Sequence, residues 1–161
     1  TDIKETVDLT KLIGDAVELF NINARHANMS INIETSFLTC RKEWNGYPGY
    51  LTQIIMNLFQ NIERYAYPSG QGGEVDITAA DNNDENFIIT VRDYGKGISS
   101  DNITKVFDPF YTTGRDKGGS GLGLAIVHNI VTTALQGSIE VSSEIDKGTM
   151  FSITIPKNII E

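Results

Sequence analysis

The chain has 161 residues, of which 40% are hydrophobic and 21% charged, and carries a formal net charge of −8. That length and balance fit one globular domain with a real core and exclude disordered or fibrous material. The acidic excess excludes the basic face that nucleic acid or an anionic membrane would require, but not nucleotides, for which backbone N–H groups and a few placed cations suffice.

In chain order, Leu9, Leu12, Ile13, Ala16, Phe20 and Ala24 recur at helical spacing. They predict an amphipathic helix over about 9–27, starting after Asp8. Ile31 and Ile33 alternate with polar neighbours as in a strand, and Trp44 with Asn45-Gly46 reads as a strand end and turn. Pro48 opens a second helix with Leu51, Ile55, Leu58 and Ile62 on one stripe, ended by the breakers Tyr67-Pro68-Ser69-Gly70. Strands over about 75–79 and 87–91 flank Asp81-Asn82-Asn83-Asp84, a turn signal that predicts an antiparallel hairpin. The stretch 95–121 is rich in Gly, Asp, Thr and Lys, and a loop of that length in a compact domain is usually functional or mobile. A third helix is predicted over about 122–135, stopped by Gly137, and strands over about 138–142 and 149–155 close the chain. The pattern is an α+β two-layer sandwich with one sheet face covered and the other more exposed.

The single cysteine, Cys40, excludes an internal disulfide and reads as a small apolar residue in a reducing compartment. No run reaches the roughly 18 apolar residues of a membrane span. The polar opening 1–11 is read as lacking a signal peptide.

Chemistry concentrates in four places. Asn57 and Asn61 lie four apart and stack on one helix face at the rim of the apolar stripe, and Arg64 and Tyr65 continue that edge. Carboxamide oxygens suit a hard cation such as Mg²⁺, though an isolated Asn pair is more often polar helix surface that caps backbone groups. Asp93 follows the second hairpin strand and precedes Gly95-Lys96-Gly97-Ile98. A carboxylate there can accept a hydrogen bond from an exocyclic amine, which adenine offers and guanine does not, or the segment is simply a turn. Gly118-Gly119-Ser120-Gly121 leads into the third helix, as either a hinge or a phosphate cradle, with Arg115 and Lys117 just upstream. Phe107 and Phe110 sit mid-loop and are expected to dock on the domain or on a partner. His26 and His128 have no ligands at metal spacing and read as structural or surface residues.

Taken in this order, the motifs resemble those of the catalytic and ATP-binding domain of bacterial sensor histidine kinases, within the wider group of Bergerat-fold ATPases. Asn57-Leu58-Phe59-Gln60-Asn61 with Arg64-Tyr65 is similar to the N box, and Asp93-Tyr94-Gly95-Lys96-Gly97-Ile98 to the G1 box. Phe107-Asp108-Pro109-Phe110-Tyr111 is similar to the F box, Gly119-Ser120-Gly121-Leu122-Gly123-Leu124 to the G2 box, and Gly148-Thr149-x-Phe151 to the terminal glycine motif. Ile62 and Leu135-Gln136-Gly137 depart from the pattern and imply altered packing.

The resemblance implies a single domain over 1–161 with its core at about 7–156: a mixed, mostly antiparallel sheet on about three helices, with an ATP lid at about 98–120. It implies that Asn61 binds Mg²⁺ with Asn57 assisting at the phosphates, that Arg64 contacts phosphate, and that Tyr65 lies against the base or ribose. Asp93 would select adenine, and Gly95, Gly97, Ile98, Phe110 and Thr149 are expected among the nucleotide-binding residues. Gly119, Ser120, Gly121, Leu122, Gly123 and Leu124, with Arg115 and Lys117, would hold the phosphates.

Hydrolysing relatives usually carry a glutamate general base where Asn57 stands. Asparagine is no base near neutral pH, whereas a neutral histidine acceptor is already nucleophilic. The implied activity is therefore protein-histidine kinase, ahead of a non-catalytic nucleotide sensor or a gyrase- or chaperone-type clamp. Neither His26 nor His128 fits the acceptor, so the dimerisation domain with its histidine, and the sensor, are expected elsewhere in a longer parent protein or on a separate chain. The resemblance also implies a response regulator downstream. The implied setting is the cytoplasm, without direct membrane contact by this domain and with an inner-membrane sensor left open as the parent.

Overall fold

The computed structural model describes residues 3–39, 42–68, 70–111 and 121–160. Strand β1 (Glu5–Asp8) runs into helix α1 (Leu9–Asn23). Asp8 caps that helix by accepting the Lys11 N–H at 3.2 Å. The predicted helix is four residues too long. The Ala24 N–H still bonds to the Phe20 carbonyl, but Ala24 leaves helical geometry, and Arg25–Ala27 form a separate tight turn that ends at left-handed Asn28.

Strands β2 (Ser30–Phe37) and β3 (Glu43–Gly46) follow, then α2 (Pro48–Tyr65), which has proline in its first turn where a missing N–H costs nothing. Strands β4 (Glu74–Asp81) and β5 (Asn86–Asp93) form the predicted antiparallel hairpin. Its turn is held by Asn83 Oδ1, which accepts the N–H groups of Glu85 (2.9 Å) and Asn86 (2.8 Å).

The third helix is not uniform. Helix α3 covers Gly123–Asn129, and the chain then widens into a π-helical segment, Ile130–Ala134. Four consecutive β-branched residues, Ile130 to Thr133, crowd this stretch. The hydroxyls of Thr132 and Thr133 also bond to the His128 and Asn129 carbonyls, at 2.9 and 2.5 Å, which loosens the α-helical ladder. Strands β6 (Ser138–Glu144) and β7 (Gly148–Pro156) complete the fold as a second hairpin.

The main sheet has five strands in the order β2-β4-β5-β7-β6, with β2 parallel to β4 and every other pairing antiparallel. One face is covered by the three helices. Val75, Ile77 and Ala79 of β4, Phe87, Ile89 and Val91 of β5, and Phe151, Ile153 and Ile155 of β7 are buried against them. The Phe20 and Phe59 rings meet edge to face between α1 and α2, at 5.3 Å. The architecture is the predicted α+β sandwich.

The sequence reading gave no partner to the opening residues. In the structure β1 pairs antiparallel with β3 in a separate two-stranded sheet that sets Val7 opposite Trp44. Trp44 is fully buried, and its indole N–H donates to the Pro156 carbonyl at 3.0 Å, so the small sheet is tied to the end of β7. Trp44→Ala is expected to cost about 3–5 kcal/mol, the usual price of emptying an indole-sized site. Urea unfolding followed by circular dichroism should show the loss as a lower midpoint with an unchanged slope.

Candidate functional site

A cavity of about 450 Å³ opens where the polar edge of α2 meets the end of β5 and the start of α3. Helix α2 supplies Asn57, Gln60, Asn61, Arg64 and Tyr65. At 100° per residue these positions share one edge beside the buried stripe of Leu51, Ile55, Leu58 and Ile62. That is why Asn57 and Asn61 are half-buried while Gln60 and Arg64 are exposed. Gly97 and Ile98 line the cavity from the turn after β5, Gly121, Gly123 and Leu124 from the α3 side, and Thr149 from β7.

Asp93 also lines it, and is only 4% exposed. Burial pushes its carboxyl above the ordinary aspartate value. Backbone N–H groups of Gly95 and Thr149, and then the Arg92 charge, pull the other way. The Gly95 N–H bond to Asp93 Oδ1 is 2.9 Å. Among the described residues, Asp93 and Thr149 are the two buried polar or charged side chains. Burying an aspartate this deeply costs stability that the two N–H groups offset only in part, and carboxyls perturbed in this way cluster at functional sites.

The surrounding turns are set by close backbone approaches. Gly97 has φ +73°, and a Cβ there would stand 2.2 Å from the Glu144 carbonyl oxygen. Gly148 has φ +100°, and a Cβ would lie 2.0 Å from the Asp93 carbonyl oxygen. Only glycine fits either position. Ser143 joins the two segments. Its hydroxyl donates to the Gly148 carbonyl and accepts the Ile98 N–H, both at 2.8 Å, so the Thr149 hydroxyl must be the donor in its own 2.8 Å contact with Ser143.

Most of the predicted site residues therefore converge. Gly95 and Leu122 sit beside the cavity without lining it, in the Asp93 turn and at the cap of α3. Phe110 is 61% exposed, with φ +66°, and its N–H donates to the Gly121 carbonyl at 2.8 Å; it does not line the cavity. Phe107 of the same motif does dock on the domain, with its ring 5.2 Å from His128 and 6.1 Å from Phe151. Cys40, Arg115, Lys117, Gly119 and Ser120, with Gly118 and much of the expected lid, lie outside the described residues. Ile62 is buried, as the packing reading requires.

Sequence reasoning missed several lining residues. Gln60 is three from Asn57 and four from Arg64, so helical geometry alone identifies it. Ile145 and Asp146 arrive from the β6–β7 turn, pinned by the Asp146 N–H to the Lys96 carbonyl at 2.9 Å, and no local pattern announces them. Among the described residues no group of three or more His, Cys, Asp or Glu side chains forms a metal cluster. None of their helices is long and apolar enough to cross a membrane.

The structure is a helix-backed mixed sheet with a buried aspartate lining its cavity. Residues 46–159 match the family model described as "Histidine kinase-, DNA gyrase B-, and HSP90-like ATPase". The chain is 34% identical over 155 residues to the sensor histidine kinase ZraS of Escherichia coli K12, an alignment covering 96% of this chain and 31% of ZraS.

Among solved structures it is similar to the nucleotide-free catalytic domain of histidine kinase ThkA, with a TM-score of 0.80 and 27% identity over 98% of this chain and 99% of that one. ThkA in complex with the response regulator protein TrrA gives a TM-score of 0.77 at 26% identity, covering 96% of this chain and 42% of that one. Full-length ShkA in complex with AMPPNP gives 0.78 at 26%, covering 97% and 31%. The chain belongs to the family of histidine kinase-, DNA gyrase B- and HSP90-like ATPases, and its fold is that of histidine kinase catalytic domains. It spans about a third of the length of the curated relatives it matches.

Proposed function

We propose that this chain is the catalytic domain of a two-component sensor kinase, transferring the γ-phosphoryl of Mg·ATP to a histidine on a separate dimerisation domain of a longer parent. The observation that carries this reading is the acid placement around the cavity. Asp93 sits on the floor, Asp146 comes from the β6–β7 turn, and the α2 edge presents Asn57 and Asn61 with no carboxylate among its lining residues. An edge without a general base suits transfer to a nucleophile that needs no deprotonation, and does not suit hydrolysis.

Each group then has a role in its chemistry. Asp93, held by the Gly95 and Thr149 N–H groups, accepts the exocyclic amine of adenine. Ile98 and Tyr65 offer apolar and aromatic surface to the base and ribose. Asn61, with Asn57 beside it, fits a magnesium ion that takes one or two protein oxygens and completes its shell with phosphates and waters. Bound there, magnesium would neutralise charge on the phosphates. Arg64 pairs with phosphate oxygens, and Gly121 and Gly123 let the phosphates approach the start of α3. Positioning and charge neutralisation are what phosphoryl transfer needs from a protein.

The chain's similarity to ShkA solved with AMPPNP supports the nucleotide, and its similarity to ThkA solved with TrrA supports a response regulator downstream. The segment at about 98–120 is proposed as a lid, and the working compartment as the cytoplasm.

The deciding experiment mixes this chain with an acceptor-helix dimerisation domain and γ-labelled ATP. Acid-labile phosphohistidine on the acceptor is the expected product. Nucleotide binding with no phosphohistidine would replace the reading by a nucleotide sensor. Rapid ATP turnover without acceptor would replace it by an ATPase clamp.

A further inference from the structure

The turn that carries Asp93 is bolted to the end of α2 in an unusual way. In the β4–β5 ladder Val75 stands opposite Asp93, so the next pair along the register is Glu74 with Tyr94. In an antiparallel pair that rung would be a direct N–H to carbonyl bond. Here the Tyr67 side chain occupies the rung. Its hydroxyl donates to the Glu74 carbonyl at 2.5 Å and accepts the Tyr94 N–H at 2.8 Å. A backbone carbonyl can only accept and a backbone N–H can only donate, so the single phenolic proton has one possible direction.

The hydroxyl thus bridges the two strand ends next to Asp93, which lines the cavity. One residue before Tyr67, the Ala66 carbonyl accepts the Lys96 N–H at 2.9 Å, so the Asp93–Lys96 turn is fastened twice to the α2 terminus. Room for the ring comes from Gly73, where a Cβ would stand 2.4 Å from it.

We propose that Tyr67 is a specificity-determining positioning residue, whose hydroxyl-bridged rung between Glu74 and Tyr94 sets how far the Asp93 carboxylate reaches toward the base. Tyr67 does not line the cavity. It acts by fixing the splay of β4 and β5, and it rests on the reading of Asp93 as the acceptor for adenine's amine. Without the hydroxyl, the Glu74 carbonyl and the Tyr94 N–H either close on each other or lose their partner. In both cases Asp93 moves or loosens, and the hydrogen bond most sensitive to its position suffers most.

The test is calorimetric titration of this chain with Mg·ATP and with Mg·ITP, whose base carries a carbonyl oxygen in place of the amine. The parent should favour ATP. Tyr67→Phe should weaken ATP about five- to tenfold, the range of one lost hydrogen bond, and change ITP less than about twofold. Gly73→Ala, which keeps the phenol but displaces the ring and its hydroxyl from the rung, should narrow the ATP-to-ITP ratio in the same direction. Backbone amide exchange at Tyr94 should accelerate in both variants.

Equal weakening of ATP and ITP would reduce Tyr67 to a merely structural residue and overturn the proposal, as would unchanged affinities. A parent that does not distinguish ATP from ITP would overturn the assignment of Asp93 itself, and this inference with it. A parent that discriminates alongside unaltered ratios in both variants would leave the Asp93 assignment standing and remove Tyr67 alone.

Discussion

Asp93→Asn is expected to weaken ATP binding about a hundredfold while leaving the nucleotide-free protein at least as stable as the parent. The first effect follows from chemistry at the cavity floor. A carboxamide that turns its N–H₂ toward adenine's amine sets donor against donor. One that turns its oxygen there offers a neutral acceptor in place of a charged one, and loses a bond of the stronger, charge-assisted kind. That loss corresponds to about 1.5–3 kcal/mol, or roughly ten- to 150-fold, and the mismatch of donors places the result toward the upper end.

The second effect follows from linkage. Burial raises the folded-state pKa of Asp93 above its unfolded value. The folded chain therefore favours the protonated acid. Any contribution of this group to stability is fully present below the unfolded pKa and is lost as pH rises through the folded one. At neutral pH the free protein carries an unfavourably buried charge, which asparagine removes while its side-chain oxygen still accepts the Gly95 N–H. The thermal midpoint of Asp93→Asn should match or exceed that of the parent at pH 7, with the difference vanishing toward acid. A large fall in stability at pH 7 would show that the charge holds the turn together and is not reserved for a ligand. The same shift predicts that the parent's ATP affinity declines on mild acidification, at a pH higher than an ordinary aspartate would give.

Asn61→Ala is expected to abolish the gain in ATP affinity that magnesium brings, and to slow phosphotransfer to an acceptor domain by on the order of 10²–10³-fold. Losses of that size follow removal of one preorganised group that stabilises developing charge. Because Asn61 is half-buried on the rim of α2, with Leu58 and Ile62 holding the helix beneath it, truncation should leave the fold intact. The measurement is ATP titration with magnesium and with a chelator. In the parent the two curves should separate, and in Asn61→Ala they should coincide. Separated curves in the variant would move the metal to another ligand, with Asn57 the nearest candidate along the same edge. Single-turnover transfer would then distinguish a binding defect from a defect in the chemical step.

Both predictions depend on residues that local pattern identified, and the reason is physical. Asn57, Asn61, Arg64 and Tyr65 belong to one helix, and a 3.6-residue period written in Leu51, Ile55, Leu58 and Ile62 states where the rim of that helix must lie. Likewise the alternation in β4 and β5, the Asn83 turn and the proline at the start of α2 are short-range physics, so these elements appear where the pattern places them. The third helix runs where it was expected, but its change to π-helical geometry after Asn129 and the early end of α1 were not foreseen, because side-chain hydroxyl bonds and helix-end geometry carry no periodic signal.

The amino-acid sequence by itself determined most of the helices and strands, that one face of the sheet is covered, the motif order that marks the family, and many of the groups that line the cavity. Tertiary structure alone decided what distant segments do to one another. It buried Trp44 under the end of β7, brought Ile145 and Asp146 from a hairpin turn to the cavity wall, and set the Tyr67 hydroxyl between two strands that local propensity would have joined directly. Those placements come from register and packing between segments far apart in the chain, where the deciding energy is a contact that neither segment encodes alone.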